Sequence, residues 1–138
     1  MATPAPYAKP LPKLEPDVRP YWDYLKAHRM HVQRCASCER FYFPPSDYCP
    51  RCLSTDVAWT PVSGRGTVYT FTIVAKPTQP FFVDRAPYVY ALVELDTGVR
   101  LPTAIVDCDP ERLRIGARVH AVFEKVDDEV TLLYFAPE

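Results

Sequence analysis

The sequence predicts a mainly β protein in which an N-terminal helix and a metal-held ribbon precede a five-stranded barrel. Three observations predict it. Two C-x-x-C pairs, Cys35/Cys38 and Cys49/Cys52, lie in the single stretch "RCASCERFYFPPSDYCPRC". Five β-rich segments follow, separated by turn residues. A short aromatic segment with helical spacing, "DVRPYWDYLKAHR", precedes both. At 138 residues and 48% hydrophobic content, the chain can build one domain, or a small module joined to one, with a packed core.

The elements follow in order. Residues 1–16 read as a proline-rich arm, broken by Pro4, Pro6, Pro10, Pro12 and Pro16. Residues 17–60 read as the helix plus ribbon. Asp17 can cap the helix and Pro20 suits its first turn. Tyr21, Trp22 and Leu25 cluster on one helical face, either packing on the ribbon or docking a partner. In "MHVQR", Met30 and Val32 alternate with His31 and Gln33, which predicts the first ribbon strand, and "RFYF" predicts the return strand. Residues 61–138 carry the barrel strands "TVYTFTIVA", "YVYALVEL", "VRLPTAIVD", "ARVHAVFEK" and "VTLLYF". "DTG" joins the second to the third as a hairpin, and "DDE" joins the fourth to the fifth. "DPERLRIG" is long enough for one helical turn between the third and fourth strands. Five strands with a short helix after the third is the order of an OB-fold barrel.

The cysteine spacing decides among a disulfide framework, a redox pair and a metal site. The N-terminus has no apolar run, and no segment approaches the roughly 20 apolar residues that span a bilayer. The expected compartment is the cytoplasm, where stable disulfides are rare. A thioredoxin-type pair needs one C-x-x-C near a βαβ pattern, and none is visible. Each C-x-x-C can instead fold as a knuckle whose two sulfurs converge on one ion. Cys35, Cys38, Cys49 and Cys52 then make a closed tetrahedral site for zinc, or for iron in its place.

An aromatic helix, "RC-x-x-C", "FPP", "YCPRC", "SGRGTVYTFTIV", "PYVYALVELDTG" and "LRIGARVHAVFE" together resemble one family over about residues 18–136. It is the OB-fold family with an N-terminal rubredoxin-like zinc ribbon, a domain of unknown function numbered thirty-five, associated with acyl-CoA thiolase-type enzymes. The resemblance implies that the four cysteines are its metal positions. It also implies a small non-catalytic partner of thiolases, hydroxymethylglutaryl-CoA synthase-like enzymes or thiolase-like aldolases. Such partners occur in acyl-CoA pathways that include degradation of steroid side chains and aromatic compounds. They support the catalytic subunit and in some complexes help hold the CoA thioester. One departure is Glu39, where the family usually carries a glycine that eases the knuckle through positive φ.

The residues agree with a non-catalytic role. His28 and His31 flank the ribbon and His120 lies in a predicted strand, with no nucleophile beside them. Cys108 sits between Asp107 and Asp109, whose charge opposes a thiolate. The alternative function is a single-stranded nucleic-acid-binding module, and charge disfavours it. Residues 26–51 hold five basic residues against two acidic, a net +3. Residues 84–138 hold six basic against eleven acidic, a net −5, whereas a strand-binding OB-fold needs a basic groove. The loop "KPTQPFFVDRAP" joins the first two barrel strands, where OB-folds often bind ligands. In an extended loop one of the adjacent Phe81 and Phe82 faces outward, ready for a partner or an acyl chain; the alternative is that both close the barrel mouth.

Overall fold

In the computed structural model, which describes residues 10–138, the chain forms one α-helix, a three-stranded ribbon sheet and a closed five-stranded barrel. The expected mainly β fold, with helix, ribbon and barrel in that order, is present. Residues 1–9 of the expected proline-rich arm lie outside the described residues, and 10–15 carry no regular structure. No helix among the described residues is long and apolar enough to cross a membrane.

Helix α1 spans Arg19–Lys26, with a proline in its first turn. It ends in two backbone bonds, His28 N–H to the Leu25 carbonyl and Arg29 N–H to the Tyr24 carbonyl, both 2.9 Å. This is the Schellman closure, which needs a left-handed residue after the cap. His28 fills that position at φ 58. Tyr21 and Leu25, one turn apart, are buried. The Tyr21 ring meets Phe43 at 5.5 Å and Trp59 at 6.4 Å. The aromatic face therefore packs on the ribbon.

The ribbon strands are β1 (His31–Cys35), β2 (Phe41–Tyr42) and β3 (Val57–Pro61), in the order β2-β1-β3. β3 is an addition to what the sequence predicts. Its side chains are half-buried or exposed without clean alternation. Backbone pairing along β1, from His31↔Pro61 to Cys35↔Val57, defines it instead.

The barrel strands are β4 (Arg65–Val74), β5 (Tyr88–Leu95), β6 (Arg100–Ile105), β7 (Arg118–Lys125) and β8 (Thr131–Pro137). They run β4-β5-β6-β8-β7, and β7 pairs back onto β4. All contacts are antiparallel except β6–β8, which is parallel at Ile105↔Phe135. The period-2 pattern fills the lumen: Val89, Ala91, Val93 and Leu95 are buried on β5, and Leu101, Thr103 and Ile105 on β6. Gly66 sits where β4 pairs with both neighbours, and a Cβ there would collide with the Glu94 carbonyl oxygen. The "DTG" hairpin forms as expected, with Gly98 at φ 90 and Leu95 N–H bonded to the Val99 carbonyl at 2.8 Å.

Two connections differ from expectation. Residues 109–116 form turns rather than a helical turn. Asp109 takes the Glu111 N–H on its side chain, and the Gly116 N–H and Ala117 carbonyl are both bonded to Val68 on β4. That pairing closes the segment in a tight turn, with Gly116 at φ 90 and the Ala117 N–H bonded to the Arg114 carbonyl. The loop before β5 is not extended either. It winds into a 3-10 helix over Pro80–Arg85.

Candidate metal centre and the faces around it

β1 delivers Cys35 at its C-terminal end, and the following turn returns Cys38. The second knuckle carries Cys49 and Cys52. The two knuckles repeat one backbone design. Cys35 N–H bonds to the Arg40 carbonyl and Cys49 N–H to the Ser54 carbonyl, both 2.8 Å. The residue after each second cysteine is left-handed: Glu39 at φ 64 and Leu53 at φ 63. The Ser37 and Ser54 hydroxyls meet at 2.9 Å and tie the knuckles together.

The four sulfurs converge. Cys35 and Cys52 are 3.5 Å apart, Cys38 and Cys49 3.6 Å, and all four lie within 4.8 Å of one another. Tetrahedral zinc with bonds of about 2.3 Å needs sulfurs about 3.8 Å apart, so the set fits after small movements. Backbone donors favour the thiolate at Cys35 and Cys49; at Cys52 the Ser54 N–H pulls the same way, but the neighbouring sulfurs, Cys35 foremost, and burial push the thiol up to about 11. The N–H of Cys38, with that of Ser37, lowers the Cys35 thiol. The N–H of Cys52, with that of Arg51, brings Cys49 down to about 6. Cys35 and Cys49 are buried, Cys38 is half-buried and Cys52 is exposed. Four soft donors at closed corners make a site that can hold a structural metal and leave no open position for a substrate. Glu39 does not distort its knuckle. It adopts the left-handed backbone itself and lies 3.6 Å from Arg34.

The loop ahead of β5 forms one wall of an open cleft of about 960 Å³ on the β5–β6 face. Phe81 and Phe82 stack edge to face at 4.8 Å, and Phe82 leans on Tyr88 at 5.4 Å. Both phenylalanines are half-buried. Neither projects outward as an extended loop would require, because the 3-10 turn folds the rings onto each other. The exposed apolar group of the 3-10 turn is Val83, and Tyr90 is exposed in the cleft lining. Sequence reasoning missed both. Tyr90 carried a usable signal, since its neighbours Val89 and Ala91 alternate inward. Arg85 reaches across the cleft to the Tyr134 hydroxyl at 3.5 Å and Glu124 at 3.8 Å.

The scattered candidates resolve into structural positions. His31 stacks on Tyr24 at 3.6 Å and His28 on Phe123 at 5.0 Å. Cys108 donates weakly to the Ile105 carbonyl. Burial, with Asp109 and Asp107, pushes its thiol up and keeps it protonated.

The family described as "ChsH2, rubredoxin-like zinc ribbon domain" matches residues 22–58, and "ChsH2, C-terminal OB-fold domain" matches 59–124. A DUF35 domain-containing scaffold protein of Methanocaldococcus jannaschii is 40% identical over 110 residues, covering 78% of this chain and 77% of that protein. A probable enoyl-CoA hydratase alpha subunit of Thermomonospora curvata is 36% identical over 129 residues, 94% of this chain. The chain spans only 40% of that subunit's length. A solved chain of the Ltp2-ChsH2(DUF35) aldolase superposes with a TM-score of 0.81 at 36% identity, covering 92% of this chain and 98% of that one.

Proposed function

The chain belongs to the ChsH2-type DUF35 family, a rubredoxin-like zinc ribbon joined to an OB-fold, and on that premise we propose that it is the non-catalytic subunit of a thiolase-like acyl-CoA enzyme. One observation carries the reading. The chain matches, almost end to end, a chain from an aldolase assembly. The chemistry of the chain supports it. Among the described residues the dense cluster of metal-ligating groups is four thiols arranged to hold a metal, and Cys108 is held protonated by burial and two carboxylates.

In this reading Cys35, Cys38, Cys49 and Cys52 bind one zinc, which holds the ribbon as a rigid docking module. The β5–β6 cleft, lined by Phe82 with Phe81 stacked behind it, contacts the partner or the acyl chain of the thioester. The complex works in the cytoplasm, on the acyl-CoA chemistry of its catalytic subunit.

The test is co-expression with a thiolase-like subunit, followed by zinc analysis and an acyl-CoA cleavage assay. The expected result is a stable complex with about one zinc per chain, active only with both subunits. Full turnover by this chain alone would overturn the proposal, and so would metal-free protein that assembles normally. Phe82→Ala separates the cleft's role from the rest. Truncating a central aromatic anchor typically costs about 2 kcal/mol or more, roughly 30-fold in affinity. Unchanged assembly and turnover would remove the loop from the site.

A further inference from the structure

The barrel ring closes over only the first half of β4. Arg65, Gly66 and Thr67 pair with β7, and Val68 bonds to Gly116 and Ala117 just ahead of that strand. Residues 70–74 pair with β5 alone. The Leu95 N–H bonds to the Val99 carbonyl across the hairpin to β6, so the alternate residues Glu94, Leu92, Tyr90 and Tyr88 turn their backbone groups to β4. Their partners are Thr67, Thr70, Thr72 and Val74, with the bulge at Tyr69 setting the phase. Phe71 and Ile73 therefore point N–H and C=O away from the ladder, and these groups have no bonded partner among the described residues.

An open edge is normally blunted by charge, proline or shortness. Other open edges among the described residues are: β3 ends in Pro61, β6 carries Pro102, and the end of β7 that runs past β4 carries Glu124 and Lys125. β4 is different, with neither a charge nor a proline from Gly66 to Ala75. Ile73 pairs with the buried Val89, yet is itself 42% exposed, at the point where the ring has opened.

The open window has a length and a centre. Gly116 closes it at Val68, and the chain bends away at 75–76. Thr70, Phe71, Thr72, Ile73 and Val74 remain, with Thr72 in the middle. An identical strand laid antiparallel about a two-fold axis at Thr72 sets each Phe71 opposite the other copy's Ile73. Both residues of each such pair offer N–H and C=O outward, so every open group in the window finds a partner. Thr72 meets its own copy, a favourable cross-strand pair in which no like charges face each other. The flanking Arg65 and Lys76 both fall outside the window. Residues 1–9 would make a poorer strand, because Pro4 and Pro6 remove ladder donors.

We propose that this edge pairs with a second copy of the chain, joining two barrels in one continuous sheet through residues 70–74. Main-chain bonds supply the contact, as in strand addition to a sheet edge. The contact is small, so the dimer is a weak one that forms as chain concentration rises. The inference does not rest on the proposed function.

The experiment follows the zinc-loaded full chain by sedimentation from micromolar to millimolar concentration, with amide exchange read residue by residue. A dimer is expected, with the Phe71 and Ile73 amides gaining protection as it forms and those of Thr70 and Thr72, already bonded to β5, unchanged. Thr72→Lys and Thr72→Asp should each keep the wild-type Tm, since the side chain is exposed, and weaken the dimer at least tenfold. Mixed in equal amounts, the two variants should pair with each other more tightly than either pairs with itself. A chain that stays monomeric at millimolar concentration overturns the proposal, as does a dimer that leaves the Phe71 and Ile73 amides unprotected or a mixture that pairs no better than its parts. Protection already complete in the dilute monomer, and lost on deleting residues 1–9, overturns it in favour of the N-terminal arm. Protection that appears only with a thiolase-like subunit overturns it in favour of that partner's strand.

Discussion

Replacing Leu53 with glycine should stabilise the ribbon, although it deletes an apolar side chain. Leu53 sits at φ 63 with its side chain 68% exposed. Its N–H closes the knuckle onto the Cys49 carbonyl at 2.9 Å, a bond that glycine keeps. A left-handed backbone costs a residue with a Cβ about 1–2 kcal/mol. Glycine avoids this but gives back about 0.5–1 kcal/mol in unfolded-chain entropy. The net gain is about 0.5–1 kcal/mol. Ribbon folding and metal binding are one equilibrium, so the gain should appear as a two- to fivefold tighter zinc affinity, at about 1.4 kcal/mol per decade. It should also raise Tm by about 1–4 °C at fixed free zinc. Competition against a chelating dye reads the first and calorimetry the second. Leu53→Ala is the control, because it removes the same exposed surface but keeps the strained backbone, and it should gain nothing. Equal gains from Ala and Gly would refute the conformational argument, as would a weaker zinc affinity in Leu53→Gly. Glu39→Gly should behave alike with a smaller gain, since it also loses the exposed contact with Arg34, itself worth about 0–1 kcal/mol.

Three other outcomes are expected. Leu25→Ala, at a fully buried position between helix and core, should cost about 2–5 kcal/mol in chemical denaturation. Gly66→Ala should cost about 1–3 kcal/mol and slow amide-exchange protection should be lost along β4, because the new methyl meets the Glu94 carbonyl backbone rather than a side chain that can turn away. Burial, with added repulsion from Arg29, holds the His31 imidazole below the ordinary histidine range. The unfolded chain then binds the extra proton first, so stability should fall as pH drops below about 6.5; Arg29→Gln should raise the His31 titration seen by NMR.

The parts legible in the sequence were those where one residue type answers one physical demand. The four cysteines had no other economical use at that spacing, and the lumen strands announced themselves because Val89, Ala91, Val93 and Leu95 alternate cleanly inward. β3 was illegible because its order comes from backbone pairing to β1 rather than from its own side chains. The shape of the loop at Phe81 and Phe82 was illegible because nothing in its sequence announces a 3-10 turn, across which the two rings find each other. The meeting of His28, His31 and His120 at the seam between ribbon and barrel was illegible for a different reason. Its residues lie at 28–31, 61–65 and 120–123, and only the closure of β7 onto β4 brings the last group to the other two.

That closure also bears on how the two halves communicate. The barrel completes its own hydrogen-bond ring, so its backbone does not depend on the ribbon. Its apolar core is another matter. Tyr21, Leu25, Met30 and Val32 belong to one continuous buried cluster with the barrel residues Val68, Val93, Val119 and Phe135. Val62 N–H bonds to the Met30 carbonyl, and Ala121 N–H to the Gly64 carbonyl, so the crossing from β3 to β4 is pinned to both halves. Loss of the proposed metal should therefore free β1 and loosen the packing of α1 against the core, while the barrel's strand ladder remains. In the proposed function the ribbon acts as a metal-set clasp on a barrel that already completes its own hydrogen-bond ring.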